Sequence, residues 1–310
     1  MLTTFDHSQF ELAALLPLKR GPISVCVPTR ETAATVAETV GAIARLREAG
    51  LVDQILVVDA DSADGTAAIA AAAGAEVFQE AELLPELGPV EGKGDAMWRA
   101  QAVAEGEILV YLDGDVRDFG AHYALGLIGP LLQSAETDFV KGFYRRPLTI
   151  DSVEIADGGG RVTELTAKPL LELLVPELAA FEQPLAGEFA GRRSLFSRIP
   201  YLTGYGVEIA MLVEVWKTIG LERMAQVDLG SKRNSHQGLA ALAEMSRDVI
   251  EALMRQLGAP QGAGLGTVAL PPSWHPRLRE RPPIEGLPLF GGPAAAGATE
   301  LDQAKRVGSV

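Results

Sequence analysis

The 310-residue chain has one cysteine, Cys26, and too little positive charge to balance its acids: 27 lysines and arginines stand against 41 aspartates and glutamates. One cysteine rules out an intramolecular disulfide framework and any cysteine-cluster zinc site, and its place inside "ISVCV" suits a buried core thiol rather than a nucleophile. The formal charge of −14 argues against a nucleic-acid partner, because holding a phosphate backbone needs a basic face. A small anionic ligand at a local basic site stays open. No apolar run reaches the roughly 18 residues that a membrane helix needs. The opening "MLTTFDHSQF" has neither the basic nor the apolar region of a signal peptide, so no membrane partner and a cytoplasmic setting are expected. No solenoid period is visible, and the order Gly-x4-Gly-Lys-Ser/Thr of a Walker loop is missing, which weakens an ATPase or GTPase reading.

What is present is a repeated unit of apolar run, short loop rich in Gly, Asp, Pro or Ser, and amphipathic helix. "ISVCVP" (23–28), "QILVVDA" (54–60), "AEVFQE" (75–80) and "EILVYLD" (107–113) read as strands separated by helices, the last of them "KGDAMWRAQAVAEG". Such alternation implies an α/β fold with a mostly parallel sheet and ligands at the carboxyl ends of its strands. Further on come a helix near 121–134, a strand in "DFVKGFYRRPL", a glycine-rich loop "GGGRVTEL" opening a helix, a helix in "GVEIAMLVEVWKTIG", a last strand in "MAQVDLGSKRN" and helical signal over 238–257. The expected divisions are a 1–19 extension, a 20–120 α/β half, a 121–257 half of the same domain with a helical C-terminal region, and a 258–310 tail rich in Pro, Gly and Ala, extended or disordered and poor in chemistry.

Three strand ends carry carboxylates: "VPTRET", "VVDADSADGT" and "YLDGDV". Asp113 and Asp115 share a face if their strand continues through them, and two carboxylates so placed call for a positive group between them. A hard divalent cation, magnesium or manganese, is the economical choice; a solvated Asp-Gly turn is the plain alternative. Asp59 and Asp61 extend this acidic wall, whereas Ser62 and Asp64 suit a helix start. In "GPVEGKGDAMW", Lys93 sits between Gly92 and Gly94 just before a helix, where amides and an ammonium can reach a phosphate, unless the stretch is only a surface loop. The "GGGRVTEL" loop, with Arg161 and Thr163, is a second anion cradle or merely a linker. Tyr205 and Glu208 in "TGYGVE" face the same cleft or serve structure, and "GSKRNSHQG" offers Asn234 and His236 as polar candidates for a metal ligand.

In order, "VDADSADGT", "EGKGDAMWRA", "YLDGDV", "VKGFYRRPL", "GGGRVTELTAKPLL", "PLAGEFAGRR", "GYGVEIAMLVE" and "QVDLG" closely resemble the actinobacterial glucosyl-3-phosphoglycerate synthases, and the likeness runs over about 20–257. These are retaining glycosyltransferases with a GT-A fold, and the related mannosyl-3-phosphoglycerate synthases are similar. The resemblance implies hexose transfer from a nucleotide sugar to the 2-hydroxyl of 3-phosphoglycerate, a divalent cation, and a homodimer. It implies Asp113, Gly114 and Asp115 as the metal and donor motif with Asp115 on the ion, and Lys93 as the donor-side lysine. It further implies Gly160, Arg161, Val162 and Thr163 as the phosphoglycerate loop and Tyr205 and Glu208 as sugar-pocket residues. Asp115, Glu208 and Lys93 then carry catalysis, and Pro28, Thr29, Arg30, Glu31, Asp59 and Asp61 complete the donor side. No general base is implied, because the leaving phosphate oxygen takes the acceptor's proton. Two departures stand out. The family's Pro-Ala-Leu-Asn-Glu-Glu nucleobase loop reads here as Pro28-Thr29-Arg30-Glu31-Thr32-Ala33, which makes a guanine nucleotide more credible. Asn234 stands where the family has its metal-binding histidine, so either the loop shifts and His236 binds the ion with Asn234 on the acceptor side, or Asn234 coordinates through its amide oxygen, or water fills the position. A nucleotidyltransferase, which also sets carboxylates and a metal at a sheet edge, is the reading from another enzyme class, and a non-catalytic nucleotide-sugar sensor is a third.

Overall fold

The computed structural model describes residues 1–150, 153–155, 158–233, 237–258 and 277–290. Its strands are β1 (Thr3–Asp6), β2 (Ile23–Thr29), β3 (Gln54–Asp59), β4 (Glu76–Gln79), β5 (Ile108–Tyr111), β6 (Phe139–Arg145), β7 (Leu148–Ile150), β8 (Val153–Ile155), β9 (Phe189–Arg192), β10 (Tyr201–Leu202), β11 (Met224–Ser231) and β12 (Glu280–Arg281). The α-helices are α1 (Leu12–Leu15), α2 (Val36–Glu48), α3 (Thr66–Ala72), α4 (Lys93–Ala100), α5 (His122–Gln133), α6 (Lys168–Leu174), α7 (Arg193–Phe196), α8 (Val207–Ile219) and α9 (Leu239–Leu257). Eight strands form one sheet in the order β1-β11-β6-β9-β5-β2-β3-β4, parallel throughout except at β9, which runs against both its neighbours.

Both faces of this sheet are covered, and that explains the nearly unbroken apolar strands. Side chains alternate along β2 and β3: Val25, Val27 and Val57 join the core shared with α2 and α5, while Cys26, Leu56 and Val58 join the core under α4, α8 and α9. Cys26 is buried as expected, and burial pushes its thiol up to about 12, so it is an inert core group. No helix among the described residues is long and apolar enough to cross a membrane.

The structure departs from the sequence reading in four places. The strand before the aspartate pair stops at Tyr111, so Asp113 and Asp115 lie on the loop beyond it rather than on a shared strand face. The short strand β9, hidden in "PLAGEFAGRR", fills the slot between β5 and β6. The 1–19 extension supplies β1, a parallel edge strand on β11. Within the segment expected to be an inert tail, residues 277–290 pack against the body: β12 pairs with β10, and Leu278 and Ile284 are buried in the core beneath α9. Those two apolar side chains gain burial on an already formed face, which offsets the ordering entropy that composition alone suggested would not be met.

Candidate active site

A cavity of about 620 Å³ opens at the carboxyl ends of β2, β3, β5 and β6. Its wall brings together Pro28, Thr29 and Arg30 after β2, Lys93 at the start of α4, Asp113, Gly114 and Asp115 after β5, Gly160, Arg161, Val162 and Thr163, and Tyr205 and Glu208 at the start of α8. These residues span much of the sequence, and the parallel sheet gathers them because each follows a strand end or opens a helix there.

The centre of the site is a chain of buried ion pairs. Lys93 Nζ donates to Asp113 Oδ1 at 2.6 Å and lies 2.8 Å from Glu208 Oε1. Lys232 Nζ donates to Asp113 Oδ2 at 2.6 Å and to Glu188 Oε1 at 2.5 Å, and the Tyr144 hydroxyl donates to Glu188 Oε2 at 2.8 Å. The countercharge that Asp113 requires is therefore a pair of lysines. Burial alone would raise the Asp113 carboxyl, but Lys232 and Lys93 pull it far below the usual carboxylate range. Burial works against the charge of both lysines too, and their carboxylate partners more than reverse it, holding each well above an ordinary lysine. Glu188 is raised, burial outweighing Lys232. Beneath the chain, Lys141 donates to the Ala186 carbonyl at 2.8 Å, and burial lowers its ammonium to about 8.

Glycine is required where this network passes close to backbone. A Cβ on Gly187 would lie 2.4 Å from Asp113 Oδ1 and 2.6 Å from Lys93 Nζ, and one on Gly114 would meet the Thr29 methyl at 2.8 Å. Lys232, Glu188 and Gly187 were missed in the sequence, although "GSKRN" and "PLAGEF" both stood among its motifs; nothing local marks them as partners of Asp113.

Asp115 lines the same cavity, half-buried, and its carboxylate is bonded to no described residue. Among the described residues no group of three or more His, Cys, Asp or Glu could hold a metal. One carboxylate on the wall of a cavity this large fits a magnesium or manganese ion that completes its shell with ligand oxygens and water.

The Gly159–Thr163 loop carries groups that suit an anion. Gly160 has φ 69°, in the left-handed region, and a Cβ on Gly159 would lie 2.6 Å from the Arg146 carbonyl oxygen. Beyond it the chain enters a five-residue π-helix, Thr163–Ala167, that runs into α6. Arg161 donates to the Gln237 carbonyl at 2.8 Å, and Arg146, unnoticed in "YRRPL", lines the cavity beside it.

Three predicted donor residues stand elsewhere. Asp59 is fully buried and accepts from Thr29 Oγ1, Ser62 N and Ser62 Oγ at 2.8–2.9 Å, so it staples two loops together. Glu31 accepts from Ala63 N at 2.9 Å and Asp61 is exposed at φ 51°; neither lines the cavity. Ser62 braces a loop by donating to Asp59, while Asp64 serves the start of α3 as expected, accepting from Thr66 N at 3.0 Å as well as from Ala33 N at 2.9 Å. Asn234 and His236 lie outside the described residues.

The glycosyl transferase family 2 profile matches residues 24–137. Glucosyl-3-phosphoglycerate synthase of Mycolicibacterium smegmatis is 42% identical over 91% of this chain and 97% of its own length. The chain belongs to the glucosyl-3-phosphoglycerate synthase family. Among solved structures, mannosyl-3-phosphoglycerate synthase from Rubrobacter xylanophilus superposes with a TM-score of 0.82 at 45% identity, covering 92% of this chain and 97% of that one. Glucosyl-3-phosphoglycerate synthase from Mycobacterium tuberculosis in complex with Mn2+, UDP-glucose and phosphoglyceric acid gives 0.79 at 37% identity, covering 92% and 98%. In this synthase family's terms, the chain is a GT-A glycosyltransferase over nearly its whole matched length, which removes the nucleotidyltransferase and sensor readings.

Proposed function

We propose that the cavity transfers glucose from a nucleotide sugar to the 2-hydroxyl of 3-phosphoglycerate, with retention at the anomeric carbon. The observation that carries this reading is one cavity lined by two kinds of anion-binding group: Lys93 and Lys232 with Asp115, and the Gly159–Thr163 segment with Arg146 and Arg161. The first suits a nucleoside diphosphate and the second a phosphorylated carboxylic acid. Asp115, with His236 as its proposed companion, would hold the magnesium or manganese ion, which as a Lewis acid would neutralise charge on the diphosphate.

The remaining chemistry belongs to the chain. An ammonium has three donors, and Lys93 commits two of them to Asp113 and Glu208. Its third is free to meet the donor's phosphate or sugar. Because its partners hold it in place, this charge needs no reorganisation as the bond from the anomeric carbon to the diphosphate oxygen lengthens. The acceptor hydroxyl attacks from the face that the diphosphate leaves, and its proton passes to the departing phosphate oxygen. Tyr205 and Glu208 border the sugar, and the Gly159–Thr163 segment with Arg146 and Arg161 takes the acid. A cytoplasmic setting belongs to this reading, since both substrates are soluble metabolites of the cell interior.

The likeness to the mannosyl enzyme at 45% identity favours a second donor, GDP-mannose, and Arg30 at the cavity wall gives that alternative a local basis. Purified protein with 3-phosphoglycerate and magnesium should be offered UDP-glucose, GDP-glucose and GDP-mannose in parallel, with mass and anomer analysis of products. Glucosyl-3-phosphoglycerate with retained configuration is expected. Product from GDP-mannose alone would transfer the assignment to the mannosyl reaction, and no product from any donor would end the transferase reading.

A further inference from the structure

The helix that presents Lys93 is held from behind by the chain's C-terminal segment. Asp95, two residues beyond Lys93 and fully buried, accepts from Arg281 Nε at 2.9 Å and from its terminal nitrogen at 2.7 Å. The same guanidinium reaches back to the Leu87 carbonyl at 2.9 Å and the Pro89 carbonyl at 3.2 Å, both on the loop that leads into Lys93. Asp95 completes the ring by accepting from Glu91 N at 3.0 Å. The segment is fixed in turn by Trp98 Nε1, which donates to the Pro282 carbonyl at 2.8 Å, and by the Arg281 guanidinium lying 5.7 Å from the Trp98 ring centre.

The other margin of the segment holds the sugar-side loop. Thr203 N donates to the Arg279 carbonyl at 2.9 Å, and Arg279 N donates to Thr203 Oγ1 at 2.8 Å, immediately before the Gly204–Glu208 stretch. Gly204 N also donates to the Glu91 carbonyl at 3.0 Å, so the Lys93 loop and the Glu208 loop are tied to each other and to the strap. Lys93 and Glu208 make their 2.8 Å contact across this seam.

We infer that residues 277–290 form a strap whose Arg281 is a positioning residue for the donor end, setting the distance between Lys93 and Glu208 through Asp95 and the loop before it. Arg281 does not line the cavity, so it acts through its neighbours. A planar fork is needed because one side chain must serve a carboxylate and two carbonyls in fixed directions, which a lysine cannot do. Among the described residues the loop at Gly159–Thr163 makes no hydrogen bond to the strap, and its affinity should be insensitive to it. The inference rests on the proposed transferase reading.

The test is Arg281→Ala and Arg281→Lys in the full chain, with steady-state constants for each substrate, calorimetric affinity for UDP and GDP with magnesium, and a thermal melt. Loss of the fork is expected to raise the donor KM and lower kcat, together on the order of a hundredfold in kcat/KM. The 3-phosphoglycerate KM should stay level, lysine should not rescue, and millimolar guanidinium should partly restore Arg281→Ala. Unchanged donor constants, or equal deterioration toward both substrates with a lowered melt and no guanidinium response, would reduce the strap to scaffolding. Should Arg281→Ala not fold, Trp98→Phe removes the Pro282 tether while keeping an aromatic ring; a donor KM unmoved there overturns the inference as well. Nucleotide binding without turnover in the wild type would remove the transfer reading alone, whereas a wild type that binds neither nucleotide would remove both.

Discussion

At the scale of single residues, the site is governed by charges that cannot be deleted one at a time. Lys232 is 2% exposed and its partner Glu188 is fully buried, so removing the ammonium leaves the Glu188 carboxylate buried without a cation and Asp113 with Lys93 alone. Lys232→Met is expected to lower unfolding stability by about 3–5 kcal/mol at pH 7, measured by urea titration. Adding Glu188→Gln should recover part of that, because the amide keeps the Tyr144 bond without the charge; a double variant as unstable as the single one would show the pair is not the cause. Lys141 gives a pH test. Burial sets its ammonium at about 8, against roughly 10.4 in the unfolded chain. Between those values the unfolded chain holds the proton and the folded one does not, so stability rises with pH across that window. The difference between wild type and Lys141→Met should therefore shift in favour of wild type from pH 8 to pH 10, and a flat difference in paired denaturation curves would contradict the placement.

At the scale of elements, the acceptor loop and the helix behind it act as one part. Gly160 turns the chain at positive φ, and Arg161 follows at the head of the helical stretch with its guanidinium at the cavity wall. Arg161→Ala should raise the 3-phosphoglycerate KM about 10–100-fold, the range of one or two charge-assisted bonds. The donor KM should hardly change. Initial-rate measurements with each substrate varied in turn decide it: a donor KM that rises equally would place Arg161 with the diphosphate. Elements also show what was legible locally. β2, β3 and β5 announce themselves as apolar runs because parallel strands bury both faces, and Lys93, Gly160 and Arg161 stand in glycine-marked turns. β9 does not: "FAGR" is short, holds a glycine, and becomes a strand only because β5 and β6 leave a slot for it.

At the scale of the whole molecule, the chain ends complete what the central sheet begins. β1 extends one edge of the sheet, and the strap at 277–290 braces the donor end, although both segments read as accessories. A protein of net charge −14 can hold two anionic substrates only by concentrating cations, and Lys93, Lys232, Arg146 and Arg161 all reach one cavity. The sequence by itself determined the α/β class, the order of strands and helices from β2 through β5, the buried thiol and the carboxylate, lysine and glycine-arginine motifs. Each of these follows from periodicity or from residue types a few positions apart. Only the tertiary structure decided that Asp113 is neutralised by Lys93 and Lys232, that Asp59 staples loops instead of binding, and that Arg281 grips Asp95. The Asp113 and Asp95 pairings join residues 20 to 186 positions apart, and a local pattern carries no record of which distant charge a buried carboxylate will meet.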